Sequence, residues 1–160
     1  MNEIDGLITL REAGSDDAPV LLRLMWAAFE EYEGVLDPPS GAHHESIDTV
    51  GRRLSRGAAV LASVAEKPVG FAFYELDAGL LYFGRLSVLP QWRNRGVGGA
   101  LLGYVERRAR ETGAAGVRLG VRLQLPHLVA RYERLGYRTT KHMTHPGYAR
   151  PTFVYMEKRF

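Results

Sequence analysis

Two arginines and three glycines share the seven-residue segment from Arg93 to Gly99. A strand-like apolar run precedes the segment and an apolar pattern of helical period follows it, which puts Gly98 and Gly99 in the first turn of a helix. Each glycine costs about 1 kcal/mol there relative to alanine. Glycines let another group approach the backbone closely, and the free N–H groups and dipole of a helix N-terminus attract anions. The segment therefore predicts a binding site for a phosphate-bearing ligand.

Two well-known phosphate-binding motifs do not fit this segment. A Walker A loop ends in Gly-Lys-Ser/Thr, and none follows here. The dinucleotide-binding fingerprint has a third glycine where Leu101 stands and an acidic residue about twenty positions further on, where Arg118 lies. The sequence therefore predicts neither a nucleoside triphosphate nor a dinucleotide as the ligand.

The pattern Arg93-x-x-Gly96-x-Gly98, entered from Leu86-Ser87-Val88-Leu89-Pro90, resembles the acetyl-CoA signature of the GNAT acetyltransferase superfamily. The resemblance implies that backbone groups of Leu86, Ser87 and Val88 pair with the pantetheine arm of acetyl-CoA, much as an added strand would. It also implies that the pyrophosphate faces the backbone N–H groups of Asn94, Arg95, Gly96, Val97, Gly98 and Gly99. The side chains of Arg93 and Arg95 are expected to add charge-assisted contacts to the phosphates.

Tyr132 is the second feature that carries this resemblance. The segment from Tyr132 to Tyr137 (YERLGY) resembles the Tyr-Glu-x-x-Gly-Phe-like ending that holds the family's general-acid tyrosine. By periodicity alone Tyr132 is a core residue, because it shares one helical stripe with Leu128, Val129 and Leu135. The resemblance instead implies that its phenol gives a proton or a hydrogen bond to the departing thiolate of coenzyme A, a thiol that titrates near 8.5.

The group that removes a proton from the acceptor amine stays open. A lysine-like amine has a pKa near 10.4, so only about one in 10³ is neutral at pH 7. Some GNAT members place a glutamate on the fourth or the fifth strand, but the corresponding positions here carry no carboxylate: they are Tyr82, Phe83, Gly84, Leu119, Gly120 and Val121. Glu75 is the nearest alternative base. Histidine is a further type of candidate base, because its ordinary pKa lies close to neutral pH. Three histidines lie in predicted loops: His43, His44 and His145.

Two opposite signals concern the charge of the acceptor. A group of acidic residues would draw a cationic amine toward the site: Glu30, Glu31, Glu33 and Asp37. Arg85, on the predicted fourth strand, would instead pair with a carboxylate and favour an amino-acid-like acceptor. The expected acceptor is therefore a small-molecule or peptide amine of unspecified charge.

Composition excludes several other classes of protein. The 160 residues predict a single domain, 1–160. The chain has no cysteine, and its histidines lack metal-ligand spacing, so no disulfide and no metal are expected. A net charge of +3 without a nucleic-acid-binding motif predicts no nucleic-acid partner. No apolar run approaches a membrane span, and the N-terminus does not resemble a secretory signal, so a cytoplasmic location is expected. A homodimer is left open.

The hydrophobic pattern alternates between strands and helices along the chain. Strands are predicted over residues 6–12, 58–65, 69–76, 80–89, 116–121, 137–141 and 152–158. Helices are predicted over residues 16–32 and 45–56, after the glycine-rich segment, and over 127–135. The order β-α-α-β-β-β-α-β-α-β-β predicts an α/β (α+β) fold with a mixed, mostly antiparallel sheet of about seven strands and helices on both faces. The GNAT resemblance implies that the fourth and fifth strands splay apart and that acetyl-CoA lies in the opening.

These observations predict an acetyl-CoA-dependent N-acetyltransferase that moves the acetyl group directly to a primary amine, without an acyl-enzyme intermediate. The alternative is a non-catalytic acyl-CoA-binding or regulatory domain of the same fold. The missing strand carboxylates favour the alternative, and the retained Tyr132 favours the enzyme.

Overall fold

The computed structural model describes residues 7–160, so the predicted start of the first strand at Gly6 lies outside the described residues. The described part forms seven strands and four α-helices, in the predicted order. The strands are β1 (Ile8–Glu12), β2 (Ala58–Val64), β3 (Lys67–Asp77), β4 (Leu80–Val88), β5 (Gly116–Arg122), β6 (Arg138–Met143) and β7 (Phe153–Arg159). The helices are α1 (Ala18–Phe29), α2 (Ile47–Arg56), α3 (Val97–Thr112) and α4 (Pro126–Arg134).

All seven strands join one sheet in the order β1-β2-β3-β4-β5-β7-β6. Every neighbouring pair is antiparallel except β4 and β5, which are parallel. The predicted mixed, mostly antiparallel sheet is therefore confirmed.

The one parallel pair opens part-way along its length. Pairing between β4 and β5 runs only from Leu81 opposite Val117 to Phe83 opposite Leu119. Beyond these residues β4 continues to Val88 and β5 to Arg122 without pairing to each other. The edge of β4 that faces β5 is therefore free from residue 84 onward, which is the opening that the resemblance implies.

Two hydrophobic clusters cover the two faces of the sheet. Apolar residues of α3 and α4 pack on one face, and those of α1 and α2 pack on the opposite face around Phe71 and Phe73 of β3. The four-residue repeat that predicts α3 is buried throughout: Val97, Leu101, Val105 and Ala109. The sheet therefore separates the glycine-rich segment at the start of α3 from the surface that α1 and α2 build.

The predicted helix over residues 16–32 is confirmed as one continuous helical run, of which only the middle is α-helical. The first turn, Ser15–Asp17, and the last, Glu30–Tyr32, are 3-10 helices, and only Ala18–Phe29 is α-helical. Pro19 in the first turn of α1 explains the start, because proline lacks the N–H that a helix interior uses and fits the first turn. Within residues 7–160, no helix combines the length and the apolar character needed to cross a bilayer.

Candidate active site

The glycine-rich segment forms a tight turn that ends in the N-terminus of α3. Asn94 and Gly96 both adopt positive φ angles, 61° and 87°, and Gly96 is the N-cap of the helix. The first backbone bond of the helix joins the Ala100 N–H to the Gly96 oxygen at 3.0 Å. In the described part of the chain, the amides from Val97 to Gly99 have no backbone acceptor. These amides can therefore donate to an anion.

Gly98 is the point at which three elements meet. A Cβ atom added to Gly98 would lie 3.7 Å from Cδ2 of Leu86 on β4 and 3.5 Å from the guanidinium nitrogen Nη2 of Arg131 on α4. The predicted phosphate site therefore lies beside the open edge of β4, and an additional cation, Arg131, stands next to it. Sequence reasoning missed Arg131, because its position directly before Tyr132 is the only signal that connects it with the site.

The two arginines of the segment differ in what they contact. Arg93 turns toward α1, where its Nη2 donates to the Ala28 oxygen at 2.9 Å and its Nη1 pairs with Glu31. This guanidinium is engaged in holding the end of α1 against the segment. Arg95 stacks over the Trp92 ring, 5.0 Å from the ring centroid. Of the two arginines predicted to contact the phosphates, only Arg95 stays beside the segment without an anionic partner among residues 7–160.

The free edge of β4 presents backbone rather than side-chain donors. Ser87 is fully buried, and its hydroxyl donates to the Arg85 oxygen at 2.8 Å. On its other edge β4 pairs with β3, with Ser87 opposite Phe71 and Val88 opposite Gly70. A ligand in the opening can therefore meet main-chain groups of the 86–88 run along the edge that faces β5, in the manner of an added strand.

Tyr132 lies on the same face of the sheet as α3, half-buried against the cluster there. Its ring contacts that of Tyr137 edge-on, with the centroids 5.9 Å apart. Burial raises the pKa of the Tyr132 phenol, nearby Tyr32 raises it further, and Arg131 opposes the shift. The phenol therefore keeps its proton at neutral pH and can act as a donor. The predicted burial of Leu135 in the same stripe is wrong: α4 ends at Arg134, and Leu135 is exposed.

A sequence profile of the acetyltransferase (GNAT) family matches residues 19–137 of this chain. This match spans the glycine-rich segment, the open strand pair and Tyr132. The chain belongs to the GNAT acetyltransferase family. The family uses acetyl-CoA as its acyl donor.

Solved GNAT structures share the whole fold with this chain at low sequence identity. The PaiA N-acetyltransferase of Thermoplasma acidophilum, solved with coenzyme A, superposes with a TM-score of 0.80 at 18% identity, over 96% of this chain and 99% of that one. Ard1 of Thermoplasma volcanium gives 0.77 at 19% identity, over 96% and 97%. The ribosomal-protein-S18-alanine N-acetyltransferase of Escherichia coli gives 0.75 at 20% identity, over 95% and 93%. No curated protein sequence matches the chain.

Tyr82 marks the start of the opening on the α1–α2 face. A Cβ atom at Gly84 would lie 3.0 Å from the Tyr82 ring, and one at Gly120 of β5 would lie 3.2 Å from its hydroxyl. The ring therefore spans from β4 to β5, and the two glycines make room for it. Burial raises the pKa of Tyr82, so this phenol also stays protonated at neutral pH.

Glu75, the predicted alternative base, lies on β3 opposite Tyr82. By strand alternation its side chain shares the face of Phe73, on the α1–α2 side, whereas Tyr132 packs on the α3–α4 side. At this position β4 is still paired with β5. The structure therefore does not bring Glu75 together with Tyr132, and Glu75 lies short of the open part of the sheet.

The three loop histidines lie in different environments. His43 and His44 belong to a 3-10 turn, Gly41–His44, and the Nε2 atom of His43 is buried without a hydrogen-bond partner among the described residues. His145 lies in the β6–β7 loop, with its ring 4.8 Å from that of Phe153 and its Nδ1 against the Thr152 hydroxyl. Burial, then repulsion from Arg122, hold the pKa of His145 below its usual value. His145 is therefore neutral at pH 7 and can accept a proton.

The loop after α1 contacts the end of β5 and the β6–β7 loop. Arg122, the last residue of β5, donates to the backbone oxygens of Pro38 at 2.6 Å and Pro39 at 3.2 Å. Tyr148 of the β6–β7 loop donates its hydroxyl proton to Asp37. These contacts hold the loop after α1 against the C-terminal half of the sheet.

Proposed function

We propose that this chain is an acetyl-CoA-dependent N-acetyltransferase that moves an acetyl group directly to a primary amine of a small molecule or a peptide. The observation that carries the proposal is the convergence at Gly98 of the free amides of α3, the open edge of β4 and the guanidinium of Arg131, the α4 residue that directly precedes Tyr132. The proposal treats residues 1–160 as one catalytic domain and includes a cytoplasmic location, which rests on the composition alone.

The residues present fit a coenzyme with a diphosphate and an extended arm. Within the part of the chain that the structure describes, the amides of Val97, Gly98 and Gly99 lack backbone acceptors, and a Cβ atom at Gly96 or Gly99 would meet no atom within 4 Å. We assign the diphosphate to the amides from Asn94 to Gly99, with Arg95 and Arg131 adding charge. The pantetheine arm is assigned to the backbone of Leu86, Ser87 and Val88. Bound there, acetyl-CoA supplies an acetyl thioester as the acyl donor.

In the proposed reaction a bond forms between the amine nitrogen and the acetyl carbon, and the carbon–sulfur bond of the thioester breaks. Tyr132 holds the proton that the departing thiolate takes up, because its raised pKa keeps the phenol protonated. The acceptor nitrogen gives up one proton, and the products are an amide and a thiol. No cysteine is available to form an acyl-enzyme thioester, which supports direct transfer.

Two measurements on the purified protein test the proposal. Isothermal titration calorimetry with acetyl-CoA should detect binding, and release of free thiol should accompany incubation with acetyl-CoA and a panel of primary amines. Binding without thiol release from any amine would support the non-catalytic acyl-CoA-binding alternative. Absence of binding to coenzyme A and its acyl forms would overturn both.

Arg131→Gln should weaken acetyl-CoA binding about tenfold, because the guanidinium beside Gly98 would no longer offer a charge-assisted hydrogen bond to a phosphate. Calorimetry measures the change in Kd. The matched control is Arg134→Gln, which removes an exposed arginine from the end of the same helix. Equal losses in the two variants would show that only general charge matters and would contradict the assignment of Arg131.

The pH dependence of kcat/KM tests whether His145 is the group that receives the proton of the acceptor amine. The lowered pKa means that His145 becomes protonated, and unable to accept a proton, only below its ordinary value of 6.5. We therefore expect kcat/KM to decrease at acidic pH with an apparent pKa below 6.5, and we expect this decrease to be absent from the His145→Gln variant. His127→Gln, on α4, is the control. If the acidic decrease of kcat/KM persists in His145→Gln, a group other than His145 accepts the proton of the amine.

A further inference from the structure

A cleft lined by four arginines lies next to the opening, on the face of the sheet that carries α1 and α2. Its volume is about 300 Å³, and it is bounded by the Gly41–His44 turn, by α2 and by the bulge of β4. The charged residues that line it are Arg52, Arg53, Arg56, Arg85 and Glu45. Four guanidinium groups against one carboxylate leave an excess of three positive charges, as large as the net charge of the whole chain. We call this site the arginine cleft.

Glu45 holds two of the arginines in fixed positions without consuming their hydrogen-bonding capacity. Its Oε2 accepts a hydrogen bond from Nε of Arg85 at 3.1 Å and forms an ion pair with Nε of Arg53 at 2.9 Å, and its Oε1 accepts from the Thr49 hydroxyl at 2.6 Å. Arg85 thus uses only its Nε–H, and Arg53 is held by the ion pair. Among the described residues the terminal nitrogens of Arg53 and Arg85 have no anionic partner, so each presents the planar pair of donors that matches a carboxylate or a phosphate.

Further contacts fix both guanidinium groups before any ligand arrives. Arg53 lies over the ring of Phe73, 5.2 Å from its centroid. Nη2 of Arg85 lies so close to Gly41 that a Cβ atom there would come within 2.6 Å of it. Because these side chains are already ordered, an anion that binds them loses little additional entropy.

A β-bulge directs Arg85 into the cleft from the strand that forms the opening. Gly84 lies opposite Phe73 and Ser87 opposite Phe71, so three steps along β4 match two along β3, and Arg85 within the bulge has a φ of +53°. Arg85 directly precedes Leu86, the first residue assigned to the pantetheine arm. Burial and then repulsion from Arg85 lower the pKa of Arg122, the last residue of β5.

The acidic residues that could attract a cationic acceptor do not line this cleft. Glu31 pairs with Arg93, and Asp37 accepts the Tyr148 hydroxyl proton. Glu30 and Glu33 line a different surface pocket, next to Trp26 and His43. The diphosphate of the donor does not account for the cleft either, because α3 packs on the opposite face of the sheet.

We propose that the arginine cleft binds the anionic group, a carboxylate or a phosphate monoester, of an acceptor whose amine is acetylated at the neighbouring opening. The inference rests on the proposed acetyltransfer and names its substrate class. An anion held by Arg53 and Arg85 on the acceptor face brings an amine a few bonds away to the end of the opening at Gly84. Diamines and other acceptors without an anionic group would meet only like charge in the cleft.

The test compares amines of matched length by thiol release at saturating acetyl-CoA. The panel holds ω-amino acids of increasing chain length, their carboxamides, ω-aminoalkyl phosphates and diamines. We expect kcat/KM for an acid or a phosphate to exceed that for the carboxamide by about tenfold or more, and added salt to reduce this preference. A higher kcat/KM for the amino acids identifies the bound group as a carboxylate, and a higher kcat/KM for the aminoalkyl phosphates identifies it as a phosphate monoester. Equal rates with the carboxamides, or a preference for diamines, would overturn the inference while acetyltransfer itself stands.

Variants assign the preference to the cleft. Arg85→Gln and Arg53→Gln should each lower kcat/KM for the acid about tenfold more than for its carboxamide. If neither of these variants folds, Arg56→Gln, at the exposed end of α2, replaces them in the same comparison. Arg138→Gln on β6 is the control and should leave the preference for the acid unchanged. If both amine classes lose activity equally in the cleft variants, the cleft does not select the anion.

A binding experiment separates failure of this inference from failure of the proposed function. γ-Aminobutyrate is titrated into the protein saturated with coenzyme A, and Arg85→Gln should weaken its binding about tenfold. If no amine of any class releases thiol, acetyltransfer is overturned, and this titration then decides about the cleft alone. Binding that Arg85→Gln weakens to this extent supports an anion site, and absence of binding of both γ-aminobutyrate and 2-aminoethyl phosphate overturns it.

Discussion

Replacing Tyr132 by phenylalanine should lower kcat by about 10²- to 10³-fold and leave the Kd for acetyl-CoA nearly unchanged. The substitution removes only the hydroxyl, and in the described part of the chain that hydroxyl has no hydrogen-bond partner whose loss would disturb the fold. The ring keeps its edge-on contact with Tyr137 and its place in the cluster on the α3–α4 face. A loss confined to kcat would therefore report the missing proton donor.

The control for Tyr132→Phe is Tyr104→Phe. Tyr104 lies on α3, is also half-buried on the same face, and contacts Tyr74 edge-on at 6.2 Å. Its hydroxyl is not assigned to the reaction, so kcat should stay within about twofold of the parent value. A Tyr132→Phe enzyme that keeps full kcat would exclude the phenol as the donor. A large loss of acetyl-CoA affinity in the same variant would instead assign Tyr132 to binding.

The fold was predictable because its elements carry simple periodic patterns. Val97, Leu101, Val105 and Ala109 repeat every four residues, and all four are buried on one side of α3. The opening between β4 and β5 is different in kind. It depends on where pairing stops after Phe83 and Leu119, and only the family resemblance indicated it, since no local pattern records the register between strands distant in sequence.

The direction of long side chains limited the prediction of the site. Arg93 belongs to the motif, yet its guanidinium turns to Glu31 on α1, whereas Arg131, from a different helix, stands at Gly98. A flexible side chain next to a motif can turn either way, and its partner is set by tertiary packing. The backbone part of the site was easier to anticipate, because the helix N-terminus itself fixes where the free amides point.

The role of the buried residue Glu45 in the arginine cleft could not be predicted from the sequence for the same reason, because it depends on tertiary packing. Glu45 was predicted only as the first residue of a helix over 45–56, whereas α2 begins at Ile47, after the N-cap Ser46. Its partner Arg85 lies 40 residues away in sequence and reaches it only because of the bulge in β4. The sequence alone therefore could not decide between a cationic acceptor and an acceptor with a carboxylate. The answer depends on which of the charged residues are already paired with each other in the folded chain.

Glu45→Gln should lower the free energy of unfolding by roughly 2–3 kcal/mol, the second large effect that we expect. The Glu45 side chain is only 5% exposed, forms ion pairs with Arg53 and Arg85 and accepts a hydrogen bond from Thr49, so an amide in its place leaves two guanidinium groups near each other without a counter-charge. Breaking a fully buried pair costs about 3–5 kcal/mol. The expected value is smaller here because the two arginine side chains are 28% and 25% exposed and partly hydrated.

The direction in which the pKa of Glu45 is shifted determines how this loss of stability should depend on pH. Burial raises the pKa of Glu45, but the hydrogen bond from Thr49 and the charges of Arg53 and Arg85 outweigh burial and hold it below 4.5. A carboxylate with a lowered folded-state pKa stabilises the fold fully above its unfolded pKa, and this contribution is lost as the pH falls through the lowered value. The difference in urea unfolding free energy between the parent and Glu45→Gln should therefore be constant from pH 7 to about pH 5 and should shrink below pH 4.5.

A double-variant cycle separates the loss of the ion pair from a general effect of the substitution. If Glu45 acts by neutralising Arg53, the double variant Glu45→Gln/Arg53→Gln should be more stable than the sum of the two single losses predicts, because one of the two unpaired cations is then gone. Glu66→Gln, in the exposed turn between β2 and β3, is the control and should change stability by less than about 0.5 kcal/mol. Strict additivity in the cycle would show that Glu45 does not hold Arg53, and the fixed geometry argued for the arginine cleft would then lose its basis.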